Sequence, residues 1–191
     1  MKTALILLSN GCEETEAVTT IDLLTRAGIA VTYASITEDH QVTCSRGVII
    51  LAQKTLSQVK MLDYDVVILP GGVKGAENFR DSTAVIDKIK QTHQNGSLVA
   101  AICATPAMVL QHHQLFPTAY MTGYPSTKPA FKLWKDDRVY YDESNKLITS
   151  QGPATSLDFA LKIIAVLLGK NKAAEIAADL VLPAGIKHYQ D

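Results

Sequence analysis

The chain has 191 residues, 47% of them hydrophobic, and a formal net charge of −1 from 18 basic and 19 acidic side chains. A chain of this length fits one domain over residues 1–191, burying about 70% of its unfolded surface, and without a basic block it offers no nucleic-acid or anionic-membrane surface. The apolar run at residues 4–8 is too short to span a membrane and is followed by Glu13, Glu14 and Glu16, not by a cleavage site, so a cytoplasmic location is expected.

Residues 2–8 read as a buried strand, because the apolar run is nearly continuous. A turn at 9–12 leads into a helix over 14–27, which places Ala17, Ile21, Leu24 and Ala27 on one face and ends at Gly28. Residues 29–36 form a second strand, and 42–52, with Arg46-Gly47 at the centre, a hairpin or bent strand pair. A strand over 65–69 stops at Pro70-Gly71-Gly72, a helix over 83–95 stops at Gly96, and a strand over 98–102 runs into Cys103. A helix over 106–112 follows, then a proline-bearing stretch at 118–137, which reads as an insertion beside the active site. A short hairpin (139–141 and 146–149) and helices over 156–168 and 172–180 complete the chain.

Strands alternating with helices imply an α/β fold, a mostly parallel sheet covered by helices on both faces. In open sheets of this kind ligands sit outside the carboxyl ends of the strands. Three loops leave such ends, at 9–16, 70–75 and 103–106, and a site built from them is expected.

Three cysteines, Cys12, Cys44 and Cys103, at wide spacing and without C-x-x-C, argue against a disulfide framework and a redox dithiol motif. The five histidines make no ligand spacing with them, and the adjacent pair His112-His113 reads as surface or helix-capping, so no metal is expected. Without a Gly-x-Gly-x-x-Gly or a phosphate loop, no nucleotide cofactor is implied.

Cys103 is the candidate nucleophile. An apolar strand that stops at a cysteine, followed by Ala104, Thr105 and Pro106, describes a sharp strand-to-helix elbow where a helix N-terminus favours the thiolate. The plainer alternative is a buried structural thiol. Glu16, one turn into the first helix, is the candidate partner. A glutamate beside a thiolate repels it unless protonated, so this role requires a raised pKa and a carboxyl that donates a hydrogen bond. Glu13 and Glu14 read as capping or solvent-facing acids. The backbone N–H groups of Gly71, Gly72 and Ala104 suit an oxyanion or an oxidised sulfur, although Gly-Gly after a strand is by itself more often a plain turn.

Five segments carry a resemblance: Glu13-Glu14-Thr15-Glu16, Cys44-Ser45-Arg46, Leu69-Pro70-Gly71-Gly72, Ala100-Ala101-Ile102-Cys103-Ala104 and Thr149-Ser150-Gln151-Gly152-Pro153. With them, in order, residues 1–182 resemble the ThiJ/PfpI superfamily, most nearly its YajL-like branch. The resemblance implies a flavodoxin-like three-layer sandwich and a homodimer with the first helix and the Arg46 region at or near the interface. It also implies an oxidation-prone Cys103 hydrogen-bonded by Glu16, with no cofactor. The implied activities are conversion of methylglyoxal or glyoxal, or hydrolysis of early glycation adducts on proteins and nucleotides. The alternative is a non-enzymatic redox sensor or chaperone for thiol-damaged clients. Tyr124 stands near the crevice where several relatives carry histidine, and tyrosine, with a reference pKa near 10, is a poor base at neutral pH. Ala154 replaces a commoner glycine. Ala104 removes the protease branch's histidine after the elbow cysteine, no amidotransferase His-x-Glu follows, and nothing supports the thiazole phosphate chemistry of older naming.

Overall fold

Strand β1 (Thr3–Leu8) shows why the apolar runs are continuous. Its side chains alternate between two cores, with Ala4, Ile6 and Leu8 in one and Leu5 and Leu7 in the other, so both faces of the sheet are covered. The computed structural model describes residues 1–187 and 189; His188 lies outside them.

The main sheet has seven strands in the order β5-β2-β1-β6-β7-β9-β8. These are β2 (Ala30–Ser35), β5 (Lys54–Thr55), β6 (Val66–Leu69), β7 (Leu98–Ile102), β8 (Val139–Asp142) and β9 (Leu147–Ser150) about β1. All pairings are parallel except β8 with β9, which is antiparallel at one edge. A separate antiparallel pair, β3 (Gln41–Thr43) with β4 (Ile49–Leu51), is the hairpin expected around Arg46-Gly47.

Helices α1 (Glu14–Arg26), α5 (Ser156–Leu168) and α6 (Lys170–Asp179) cover one face through Leu24, Phe159, Ile163 and Ile176. Helices α2 (Leu56–Val59), α3 (Val73–Asp81) and α4 (Thr83–Gln94) cover the other through Leu56, Phe79, Ile86 and Ile89. The result is a flavodoxin-like three-layer sandwich. Among the described residues no helix is long and apolar enough to cross a membrane.

Besides β5 and α2, which fill a stretch to which the sequence reading assigned no element, three elements depart from the sequence expectation. Helix α3 lies where only a turn was read, because Gly75 lowers helix propensity in a nine-residue segment. That glycine is a packing requirement: a Cβ there would come within 2.6 Å of the Cys12 Cα. The helix expected over 106–112 is a π-helix, Pro106–Gln111, in which the His112 N–H reaches the Ala107 carbonyl at 3.3 Å. The last helix starts two residues earlier than read, at Lys170, directly after Gly169.

Candidate active site

Strand order reverses between β1 and β6, since the chain leaves β1 towards β2 and returns to its other side at β6. This is the topological switch point at which an α/β sheet opens a crevice. The loops after β1, β6 and β7 meet there.

The first loop carries the carboxyl. Glu13 is the N-cap of α1, its side chain accepting the Glu16 N–H at 2.8 Å. That cap turns Glu16 inward, leaving it 1% exposed. Its Oε2 accepts the Gly71 N–H at 2.6 Å, while Oε1 has no partner among the described residues. An ionised carboxylate is an acceptor only, and its few donors are thin compensation for burial. Burial therefore pushes Glu16 up to about 7, helped by the Glu13 charge and opposed by the Gly71 N–H and the Cys103 thiol.

The second loop supplies space. A Cβ on Gly71 would overlap the Cys103 Cβ and sit 2.8 Å from Glu16 Oε2 and 3.0 Å from Cys103 Sγ. Only glycine allows the thiol and the carboxyl to meet over this backbone. Gly72, at φ 85°, then opens α3. A hydrogen bond from the Thr105 hydroxyl to the Pro70 carbonyl, 2.6 Å long, ties this loop to the third.

The third loop holds Cys103 at φ 66°, in the left-handed region that costs a non-glycine residue about 1 kcal/mol or more. The strained turn is fixed at both ends: its N–H donates to the Ser150 carbonyl at 3.0 Å and its carbonyl accepts the Tyr124 N–H at 2.7 Å. The sulfur belongs to a residue 8% exposed, and the neighbouring N–H groups of Gly72 and Ala104 favour its ionised form.

The expectation of a helix-favoured thiolate needs correction. Burial first, and the Glu16 charge second, push Cys103 up to about 12, outweighing those two donors. The element that follows is six residues of π-helix, with too few aligned dipoles to offset desolvation. The Glu16 charge raises the thiol, whereas the Cys103 thiol, as a hydrogen-bond donor, lowers the carboxyl, so the pair favours a protonated sulfur beside the carboxyl.

Cys103, Gly72 and Ala104 line a cavity of about 800 Å³ whose walls also include Arg46 and Tyr124. Of the site residues read from the sequence, Cys103, Ala104, Gly72, Arg46 and Tyr124 line this cavity, while Glu16 and Gly71 do not line it and meet Cys103 away from its walls. Glu14 is neither a cap nor solvent-facing: its carboxylate accepts from the Ser45 hydroxyl and the Arg46 N–H, each at 2.8 Å. Despite burial, its own backbone N–H, together with these bonds and the Val48 N–H, holds it below the usual carboxylate range. The 118–137 stretch does border the site, through Tyr124, Ser126 and Thr127 around a 3₁₀-helix at Pro125–Ala130. Sequence reading missed Met108 as a wall residue; it sits within a turn of the 103–106 loop already expected at the site. Among the described residues no cluster of three or more His, Cys, Asp or Glu side chains could hold a metal.

Fold and crevice together define a flavodoxin-like α/β protein built around a buried thiol–carboxyl pair. Residues 2–166 match the DJ-1/PfpI family, and the chain belongs to that family. It is 42% identical over 184 residues to Protein dj-1beta of Drosophila melanogaster, spanning 95% of this chain and 97% of that one. It is 34% identical over 185 residues to the Glutathione-independent glyoxalase DJR-1.2 of Caenorhabditis elegans, again spanning 95% and 97%. Among solved structures, Drosophila melanogaster DJ-1beta superposes with a TM-score of 0.90 at 41% identity, covering 95% of this chain and 98% of that one. Oxidised Toxoplasma gondii DJ-1 superposes with a TM-score of 0.91 at 41% identity, covering 94% and 98%.

Proposed function

We propose that the protein is a cysteine-dependent carbonyl-stress enzyme of the glyoxalase or deglycase type, cytoplasmic and homodimeric, acting on methylglyoxal, glyoxal and their early adducts. The observation that carries this reading is the Cys103–Glu16 pair at the cavity, with a carboxyl raised to about 7 beside a buried thiol. A base with that pKa accepts and returns protons with nearly equal ease at neutral pH. The glyoxalase named among the relatives supports the same class.

In this mechanism the thiol need not be ionised in advance. Glu16 takes the Cys103 proton as Sγ bonds to the aldehyde carbon and the carbonyl π pair moves onto oxygen. The Gly72 and Ala104 N–H groups hold that oxyanion until Glu16 returns the proton. Glu16 then carries a proton between the adjacent carbons as the adduct rearranges to a thioester. Water releases the hydroxy acid and restores the thiol. In this mechanism Glu16 carries every proton transfer. Replacing Cys103 with serine is expected to abolish dicarbonyl consumption, measured by loss of the dicarbonyl's absorbance. A variant as active as the parent would overturn the reading.

One feature favours a second role, as a redox sensor or a chaperone for thiol-damaged clients. Backbone donors already converge on the Cys103 sulfur, where they would hold the oxygens of a sulfinate. Mild peroxide should then add two oxygens at Cys103 before either other cysteine, as peptide mass spectrometry would read; indiscriminate oxidation refutes this role.

A further inference from the structure

Cys12 and Cys44 stand 32 positions apart in the chain, yet their sulfurs lie 3.7 Å from each other, both buried and both free thiols. The backbone around them is stitched together. The Gly11 N–H donates to the Thr43 carbonyl at 2.8 Å and the Ser45 N–H to the Cys12 carbonyl at 2.8 Å, one bond on each side of the sulfur pair. The loop after β1 and the β3–β4 hairpin are therefore held in register at the point where the thiols meet.

The two thiols are not equivalent. Cys12 is fully buried, pinned behind Gly75 with no room for even a Cβ between them. Cys44 lines the cavity that Cys103 also lines, and Cys12 does not. A small oxidant in that cavity meets Cys44 first and finds Cys12 directly behind it.

We propose that Cys12 and Cys44 form a redox dithiol that closes reversibly to an intrachain disulfide, with the Cys44 sulfur attacking a hydroperoxide and Cys12 resolving the product. Cys44 sulfur bonds to the terminal peroxide oxygen as the O–O bond breaks; the thiol proton passes to the departing oxygen, giving an alcohol and Cys44 sulfenic acid. Cys12 sulfur then attacks Cys44 sulfur, and the sulfenic oxygen leaves with the Cys12 proton as water. Two thiols lose two hydrogens and two electrons, and the hydroperoxide accepts them. A dithiol reductant reverses the reaction through a mixed disulfide. This step uses neither Cys103 nor Glu16 and is independent of the carbonyl chemistry proposed above.

Bond formation draws the sulfurs from 3.7 Å to about 2.05 Å. Cys12 is held against α3 at Gly75, so the motion falls on the β3–β4 hairpin. That hairpin carries Ser45 and Arg46, two walls of the cavity, so the oxidised state reshapes the mouth of the site. Burial raises both thiols above the ordinary range, the neighbouring Cys44 adding to the rise at Cys12 and the Glu14 charge to both.

The test exposes full-length Cys103→Ser protein, and in parallel the parent with Cys103 alkylated beforehand, to an organic hydroperoxide and maps peptides without reduction. A cross-linked Cys12–Cys44 peptide, lighter by two hydrogens and separated again by a dithiol reductant, is expected in both samples. Cys12→Ser should leave Cys44 sulfenic acid that a 1,3-diketone traps, whereas Cys44→Ser should leave Cys12 unmodified. Separate oxygenation of the two cysteines, cross-linking between chains through Cys44, or no change at either residue would overturn the proposal.

Discussion

Replacing Glu16 with glutamine tests the central electrostatic claim through stability. In the folded protein the carboxyl titrates at about 7 instead of its ordinary 4.5, so the native state binds this proton more tightly than the unfolded chain. Its contribution is therefore fully present below pH 4.5 and is lost as pH rises through about 7. At about 1.4 kcal/mol per pH unit, the interval from 4.5 to about 7 amounts to roughly 3 kcal/mol. Glutamine keeps the shape and an acceptor for the Gly71 N–H but has nothing to ionise. Urea unfolding of both proteins, repeated across this range, should show the parent falling relative to the variant by that amount and running parallel to it outside the range. Stability curves parallel throughout would mean that Glu16 is ionised and satisfied in its pocket, and the general-base assignment would fail. The same variant removes the charge that helps hold Cys103 protonated, so its alkylation profile should move to lower pH.

Gly71→Ala forces a methyl group against Cys103 and Glu16; a loss of about 1–3 kcal/mol and a changed Cys103 alkylation rate are expected, read by thermal melting and iodoacetamide labelling. Wild-type stability and labelling would show that the crevice relaxes freely. Tyr124→His places a base of pKa about 6.5 at the cavity, and kcat/KM for methylglyoxal should rise about tenfold or more, with a new limb in the pH profile. An unchanged profile would remove that residue from proton transfer. Phe159, wholly buried on the α5 face, should cost about 3–5 kcal/mol when cut to alanine, measured as a shift in the urea midpoint. A loss below about 1 kcal/mol would contradict the packing described for that face.

The sheet was legible because β1, β6 and β7 are apolar on both faces, and the glycines that end α1 and α4 mark the layers between them. Cys103, Glu16 and the loop glycines were legible because each follows a strand or opens a helix. What escaped depends on distance between segments. Helix α3 was hidden by Gly75, a residue chosen by its contact with Cys12 and not by its own helix. Glu14 looks like any acid in a first turn until the hairpin closes over it. The proximity of Cys12 to Cys44 has no local signature, since 32 positions separate them. The direction of the Cys103 shift was missed because a cysteine at a strand end does not reveal how deeply its neighbours bury it.

The left-handed backbone at Cys103 also sets fitness for folding against fitness for chemistry. Glycine at this position would relax about 1 kcal/mol or more of stored strain while deleting the sulfur. A selection for thermal robustness alone would therefore drift towards an inert protein at this residue, whereas a selection for reactivity must keep the chain in its less comfortable form. Variants recovered under the two pressures should diverge here first.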